Sequence, residues 1–220
     1  MLGVYGIPGI TAYIGVTRYG RPEPGDTVLV TAAAGATGSV AAQIARTLGC
    51  RVIGVAGGSE KCRWATDVAG LDACLDHHEA DLPGRLRAAA PEGVAVVLDG
   101  VGGPVLDAAL VNLARGARVV VVGALSTGYD GGTPTVGIHH HVELGLRRAR
   151  MEGFVVLDHL DAFGEAVERL HGWVEAGDIV VAEHVVDGLE HAPAALAGLF
   201  TGRNLGKQLV RVGAAPAPTR

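Results

Sequence analysis

What the 220-residue chain has little of narrows it first: aromatic residues make up 4%, cysteine is limited to 3 and methionine to 2. Cys50, Cys62 and Cys74 form no C-x-x-C pair and no finger-like spacing. That excludes a disulfide framework and suits a reducing compartment, so a cytoplasmic location is expected. No apolar run reaches the roughly 18 residues of a membrane-spanning helix, and the opening MLGVYGIPGITAY lacks the basic region of a secretion signal. A soluble protein with no membrane partner is the expectation. A surplus of positive charge is missing too, with 18 Lys and Arg against 23 Asp and Glu, a net −5. Such a balance gives no general attraction to nucleic acid or anionic lipid.

Glycine, at 34 residues, and hydrophobic side chains, at 49%, are abundant, which fits an α/β chain with many tight turns. Short apolar runs recur at Thr27–Thr31, Arg51–Ala56, Ala73–Asp76, Val94–Asp99, Arg118–Gly123 and Gly153–Val156. They show little polar alternation, as strands covered on both faces do. Helical patterns lie between them. Val40, Ile44 and Leu48 share one face, Ser59 is placed to cap a helix over Glu60–Ala69, Pro104 suits a first turn, and Gly49, Gly70 and Gly116 suit C-termini. Repeated β-α-β order with right-handed crossovers predicts a doubly wound parallel sheet of the Rossmann type. Residues 1–179 are expected to form a dinucleotide-binding domain with a leading linker helix, residues 180–212 a second unit, and 213–220 a disordered tail.

The stretch VTAAAGATGSVAAQIARTLG, Val30–Gly49, carries the chemistry. Ala33, Gly35 and Gly38 occupy the three special positions of a G-x-G-x-x-G turn, with alanine in the first. Gly35 lets backbone approach a pyrophosphate, Gly38 lets helix and strand pack closely, and free amides at the helix start face the anion. The bland alternative is a strand-helix corner of small residues. Position after the first strand and before an amphipathic helix favours the nucleotide.

An acidic residue about 20 positions beyond such glycines holds a free ribose 2′-hydroxyl. Here the end of the second strand reads GVAGGSEKCRW, with Ser59, Lys61 and Arg63 offering a hydroxyl and positive charge where a 2′-phosphate would lie. NADP(H) is the expected cofactor. Glu60 is the alternative partner for a plain ribose, and a solvated helix face is the alternative for Lys61 and Arg63.

Together GIPGITAYIG, the glycine-rich stretch running on to VIGVAGGSEKCRW, RMEGFVVLDHLDAF and GRNLGKQLVRV resemble the zinc-independent medium-chain dehydrogenase/reductases. The similarity points to the branch of prostaglandin reductases, leukotriene 12-hydroxydehydrogenases and alkenal or enone reductases, and runs in order from Leu2 to Val212. It implies NADPH-dependent reduction of the C=C bond of an α,β-unsaturated ketone or aldehyde, a small-molecule substrate and no metal. It also implies cofactor contacts at Thr37 and Gly38 with the diphosphate, Lys61 with the 2′-phosphate, Tyr129 after the fifth strand, and Asn204 near the nicotinamide. Tyr129 stands in STGYD, where the family has tyrosine directly after the Ser/Thr stretch and then Asn. The family carries about a hundred residues ahead of GIPG in a GroES-like domain. A shortened family member is therefore expected, whose segments at 180–187 and 207–212 are the remnant of the catalytic domain and leave exposed strand edges. A homodimer joined near Phe154–Val156 is the family expectation.

Tyr129 or Tyr5 could donate a hydrogen bond to a substrate carbonyl, with core packing the simpler role for Tyr5. His139, His140 and His141, with His77 and His78 elsewhere, read as a solvated loop at the cleft mouth rather than a metal site. Asp99 reads as a strand-end cap or cleft residue, Asp158 and His159 as a weak acid/base candidate, and Arg147, Arg148 and Arg150 as a charged helix face. Three functions compete: an enone or quinone reductase, a non-redox cyclase or isomerase on the same scaffold, and an NADPH-binding module without catalysis.

Overall fold

A strand made wholly of apolar residues is stable only where both faces are covered, and β1 (Thr27–Thr31) meets that condition. Val28 and Val30 join one buried cluster while Leu29, on the opposite face, joins another. The computed structural model describes residues 2–127 and 137–213. Around β1 lie β2 (Arg51–Ala56), β3 (Ala73–Asp76), β4 (Val94–Asp99), β5 (Leu113–Val121) and β6 (Arg150–Gly153), all parallel. Their order is β3-β2-β1-β4-β5-β6, the doubly wound arrangement expected from the alternating pattern.

The two clusters give the layers. On one face α1 (Ile7–Ile14), α2 (Gly38–Thr47), α3 (Ser59–Asp67) and α7 (Phe163–Glu175) bury Ile10, Ile14, Ile44, Ala65 and Leu170 against Val28, Val30, Val52 and Val96. On the other, α4 (Leu82–Ala89) and α5 (Gly103–Leu110) bury Leu86, Leu106 and Leu110 against Leu29, Ile53, Val97 and Val119. A short helix, α6 (Val142–Leu146), leads into β6. Beyond α7 comes a separate parallel pair, β7 (Glu183–Asp187) and β8 (Lys207–Arg211), linked through α8 (Ala192–Phe200). Among the described residues no helix is long and apolar enough to cross a membrane.

Several expectations need correction. The sixth strand is Arg150–Gly153 rather than Gly153–Val156. It pairs only with β5 at the sheet edge, where charged Arg150 and Glu152 are tolerated. The apolar residues that follow leave the sheet, and Phe154 stacks on Tyr19 with ring centroids 4.5 Å apart. Gly116 closes no helix: α5 ends at Leu110, and Gly116, at φ +79°, lies inside β5 just before Arg118, where the pairing with β4 shifts register. Arg147, Arg148 and Arg150 do not share a helix face either. Arg147 ends α6, Arg148 turns at φ +55° and Arg150 opens β6. The C-terminal strands pair with each other, leaving one edge on each open. The tail from 214 onward lies outside the described residues.

At the carboxyl end of the sheet's centre, the Thr31 hydroxyl donates to Asp99 Oδ1 at 2.8 Å and accepts from the Gly100 amide at 2.9 Å. Replacing Thr31 by Val keeps the volume but leaves that buried carboxylate and amide short of a partner. Thr31→Val should therefore cost about 1–3 kcal/mol, read as a lower urea midpoint with an unchanged slope, and Thr31→Ser should cost less.

Candidate functional site

Sequence dictates a sharp corner where β1 meets α2. Ala32 adopts φ +49°, Gly35 donates to its carbonyl at 2.8 Å, and Ala33 donates to Val55 at 3.0 Å, tying the corner to β2. Gly38 then starts the helix. A Cβ there would collide with the Ala32 carbonyl and come within 2.9 Å of the Thr31 carbonyl, which is the close approach the third glycine position requires. Thr37 stands at the N-cap with no side-chain hydrogen bond to the helix. The Ser39 amide donates to the Gly35 carbonyl at 3.0 Å, and no side chain caps the other first-turn amides of α2.

Beside this corner the chain order reverses. Strands β1 and β4 are neighbours whose crossovers run to opposite faces, and a crevice opens beyond their carboxyl ends. Fully buried Asp99 holds the crevice floor: its carboxylate accepts from Thr31 Oγ1 (2.8 Å), Val101 N (3.2 Å) and Gly102 N (2.9 Å). Burial keeps its carboxyl above the usual range, opposed by those three donors. Asp99 does not line the cavity, so it is the strand-end cap of the two roles anticipated for it.

The crevice holds a cavity of about 830 Å³. One part of the wall gathers Gly57, His77 and His78, with Lys61 beside Gly202; Gly35, Thr37, Gly38 and Asn204 also line the space, and Val101, Val122, Leu125 and Leu199 make its wall apolar elsewhere. Five expected residues, Gly35, Thr37, Gly38, Lys61 and Asn204, therefore meet around one space. Lys61 is half-buried, and burial pulls its ammonium below the usual lysine range against the raising influence of Glu60. No carboxylate lies within salt-bridge distance of that ammonium among the described residues. At the end of β2, where an acid would hold a ribose, stand Ala56 and Gly57.

Ser59 and Arg63 are exposed and do not line the cavity. Ser59 also caps nothing: the N-cap of α3 is Gly58, at φ +94°, and Ser59 is the first helical residue. Tyr129 lies outside the described residues. Asn204 donates from Nδ2 to the Gly206 carbonyl at 2.7 Å, bracing its own turn, and Gly206 donates to Ala34 at 2.8 Å. Half-buried Tyr5 packs on the apolar cluster, its ring 5.8 Å from His171, as a core role requires.

The histidines separate into two places. His77 and His78 stand on the cavity wall, whereas His139 and His140 donate through their amides to Asp107 of α5 at 2.7 and 2.8 Å, with the His140 ring 2.6 Å from the same carboxylate. No group of three or more metal-ligating side chains is gathered among the described residues. His159 bonds the Tyr19 hydroxyl at 2.9 Å in a packed aromatic cluster and does not line the cavity. Placement of His77 and His78 on the wall was missed from sequence. The available signal was their position directly after β3, a strand whose carboxyl end opens on the same side as the crevice.

The sequence pattern of the zinc-binding dehydrogenase family matches residues 36–172. Among curated relatives, the NADPH-dependent curcumin reductase of Escherichia coli (strain K12) is 41% identical over 216 residues, 96% of this chain and 62% of that protein. The 2-alkenal reductase (NADP(+)-dependent) of Nicotiana tabacum is 41% identical over 211 residues, 96% of this chain and 61% of the relative. CurA from Vibrio vulnificus, solved in complex with NADPH, superposes with a TM-score of 0.91 at 40% identity, covering 97% of this chain and 65% of that one. The chain thus spans less than two thirds of the length of these proteins.

The two glycines of the corner should respond differently to a methyl group. Gly38→Ala forces backbone apart and should lower the melting temperature by about 3–10 °C. At Gly35 the nearest atom to an added Cβ is the Ala32 carbonyl at 3.1 Å, so Gly35→Ala should cost no more than about 1 kcal/mol in calorimetry. Equal losses would make both glycines packing residues only.

Proposed function

The chain belongs to the zinc-binding dehydrogenase family, and from that membership we propose that it is an NADPH-dependent oxidoreductase of the zinc-independent kind, reducing the C=C bond of an α,β-unsaturated ketone or aldehyde. The observation that carries this reading is the cavity itself: a capless helix start, a half-buried lysine and no acid at the end of β2, all around one crevice. Two relatives at 41% identity are named as NADPH- or NADP(+)-dependent reductases.

When bound, NADPH supplies the hydride that adds to the β-carbon of the enone, and the enolate so formed takes a proton at its α-carbon. The protein's part is to bind, orient and exclude water. The amides around Gly35 and the Thr37 N-cap face the diphosphate, with Gly38 allowing the close packing that aims them. Lys61 meets the 2′-phosphate as a point charge freed of competing carboxylates. Ser59 and Arg63, on the same helix but outside the cavity wall, are given no part in holding it. Asn204, fixed by its bond to Gly206, orients the nicotinamide end. Val101, Val122 and Leu125 make that part of the crevice apolar, which favours an uncharged substrate and strengthens any hydrogen bond to its developing enolate oxygen. Tyr129 is proposed as that donor.

A cytoplasmic homodimer completes the proposal. Among the described residues the outer β6 edge is unpaired, and exposed Met151, Val155 and Leu157 lie on or beside it, a surface that a second copy would cover by isologous pairing. An NADPH-binding module without turnover is the second reading, supported by the same cavity.

Fluorescence titration of the 220-residue chain should give NADPH binding far tighter than NADH, followed by loss of NADPH absorbance with an enone panel. Lys61→Ala should raise the NADPH Kd by about 10- to 100-fold and leave NADH unchanged. Binding without turnover would select the second reading, and no binding would remove both. Sedimentation should give a dimer, and Met151→Asp should shift it toward monomer.

A further inference from the structure

Beyond Lys61, the phosphate end of the cavity holds two imidazoles to which no role has been given. We propose that His77 and His78 complete, with Lys61, the seat of the 2′-phosphate, and that protonation of His77 makes the preference for NADP(H) over NAD(H) grow as pH falls through the imidazole range. This rests on the dinucleotide reading of the cavity given above.

Both rings and Lys61 line the same space. The two imidazoles are 4.2 Å apart between centroids and tilted by 46°. They close over the backbone just past β2: a Cβ built on Gly57 would come 2.9 Å from His77 Nε2 and 3.0 Å from His78 Cε1. That is where a dinucleotide fold that prefers a plain ribose places its acid. Here the space is bordered by three nitrogen-bearing side chains instead.

One carboxylate stands nearby, and its charge is already engaged. Asp76 accepts from the Gly58 and His78 amides, each at 3.0 Å, and its Oδ1 lies 3.0 Å from His78 Nδ1. The Gly58 amide first, then those of His78 and the neighbouring imidazoles, hold its carboxyl below the usual range against burial. Asp76 therefore steadies the Nδ1 face of His78. His77 is poised differently: burial first, then the closeness of His78, pulls its pKa below the usual histidine value, with Lys61 adding to that and Asp76 opposing it. These influences favour the neutral ring of His77.

The other charges near this pair cancel, two cations against two carboxylates. From α3 come Lys61 and, next to it, Glu60. From the turn after β3 comes Glu79, which is held by Arg85 of α4 at 2.8 Å, while Arg85 also donates to the Asp76 carbonyl at 2.9 Å. Thr201 and Gly202, across the cavity, carry no charge.

A bound phosphate dianion stabilises the imidazolium form of His77, so its pKa is higher in the complex than in the free protein. The sign follows. The extra affinity is fully present below the free pKa and is lost as pH rises through the bound pKa; one unit of difference is a tenfold change in affinity. Because a phosphate monoester takes up its own proton near pH ~6, the gain levels off below that point.

The test is calorimetric titration of the full chain between about pH 6 and 8.5 with adenosine 2′,5′-bisphosphate and with 5′-AMP, which lacks the 2′-phosphate. The expected result is about tenfold tighter bisphosphate binding at pH 6.5 than at 8.5, with 5′-AMP changing by less than about twofold. His77→Gln together with His78→Gln should flatten the bisphosphate profile while leaving 5′-AMP binding intact, which also shows that the cavity has folded. Lys61→Ala should weaken the bisphosphate at every pH and keep the slope. A pH-independent ratio of the two affinities in the unaltered chain, or a slope that survives removal of both histidines, overturns the proposal while leaving the dinucleotide reading standing. Failure of either nucleotide and of NADPH to bind overturns that reading, and this proposal with it.

Discussion

The hydrogen bond between Thr31 and Asp99 joins the two strands at which the sheet reverses its order. Everything built around the crevice depends on keeping those strand ends level. Parallel pairing of β1 and β4 extends only from Val28 to Val30 on one strand and from Val96 to Leu98 on the other. Past that point backbone bonding between them stops, and the side chains of Thr31 and Asp99 take over. Asp99 also accepts from the amides that lead toward α5, so one carboxylate fixes both the floor of the crevice and the departure of the chain to the far face. An apolar residue at either position would leave donors without acceptors in a site closed to water, where each such loss is costly.

Charge in the crevice is arranged by omission as much as by placement. The chain as a whole is acidic, yet three acids near the cavity are engaged elsewhere, Asp76 on backbone amides and His78, Asp99 beneath the floor and Glu79 on Arg85, while Glu60 stands exposed beside Lys61. What faces the space is a lysine, two imidazoles and the uncapped start of α2. An anion entering there exchanges water for fixed donors without having to displace a carboxylate. In a partly enclosed cavity that difference counts for more than the same charges would on an open surface.

Much of this was legible in the sequence because it is written in periodicity and in residues with few conformational options. The unbroken apolar runs of β1, β2 and β4 announced strands covered twice, and Gly35 and Gly38 announced the corner, since the backbone approach at Gly38 tolerates no side chain. What was not legible depended on tertiary position. Phe154 reads as strand by its type, but its ring has a better partner in Tyr19, and the edge strand falls instead on residues whose charge reads as helix surface. Gly116 reads as a helix stop because a local pattern cannot distinguish a C-cap from a turn within a strand. His77 and His78 read as solvated because their position beside Lys61 arises from the pairing of β3 with β2, a contact between segments with a helix between them.

One backbone feature ties together two segments of the cavity wall that lie far apart in sequence. The corner after β1 presents its amides to the middle of the crevice, and the Ala34 carbonyl of that same corner receives the Gly206 amide, while Gly35 and Gly206 form a parallel bridge. The segment bearing Asn204 is therefore docked on the glycine-rich turn by main-chain bonds, and Asn204 in turn bonds the Gly206 carbonyl. Gly206 sits at φ +66° with the Ala182 carbonyl packed where a Cβ would go, so the docking admits no side chain there. It follows that the corner does two jobs that the sequence pattern assigns to distant motifs. A distortion at Gly35 would move the amides of the corner and displace Asn204 together, coupling two parts of the crevice wall through a single turn of backbone.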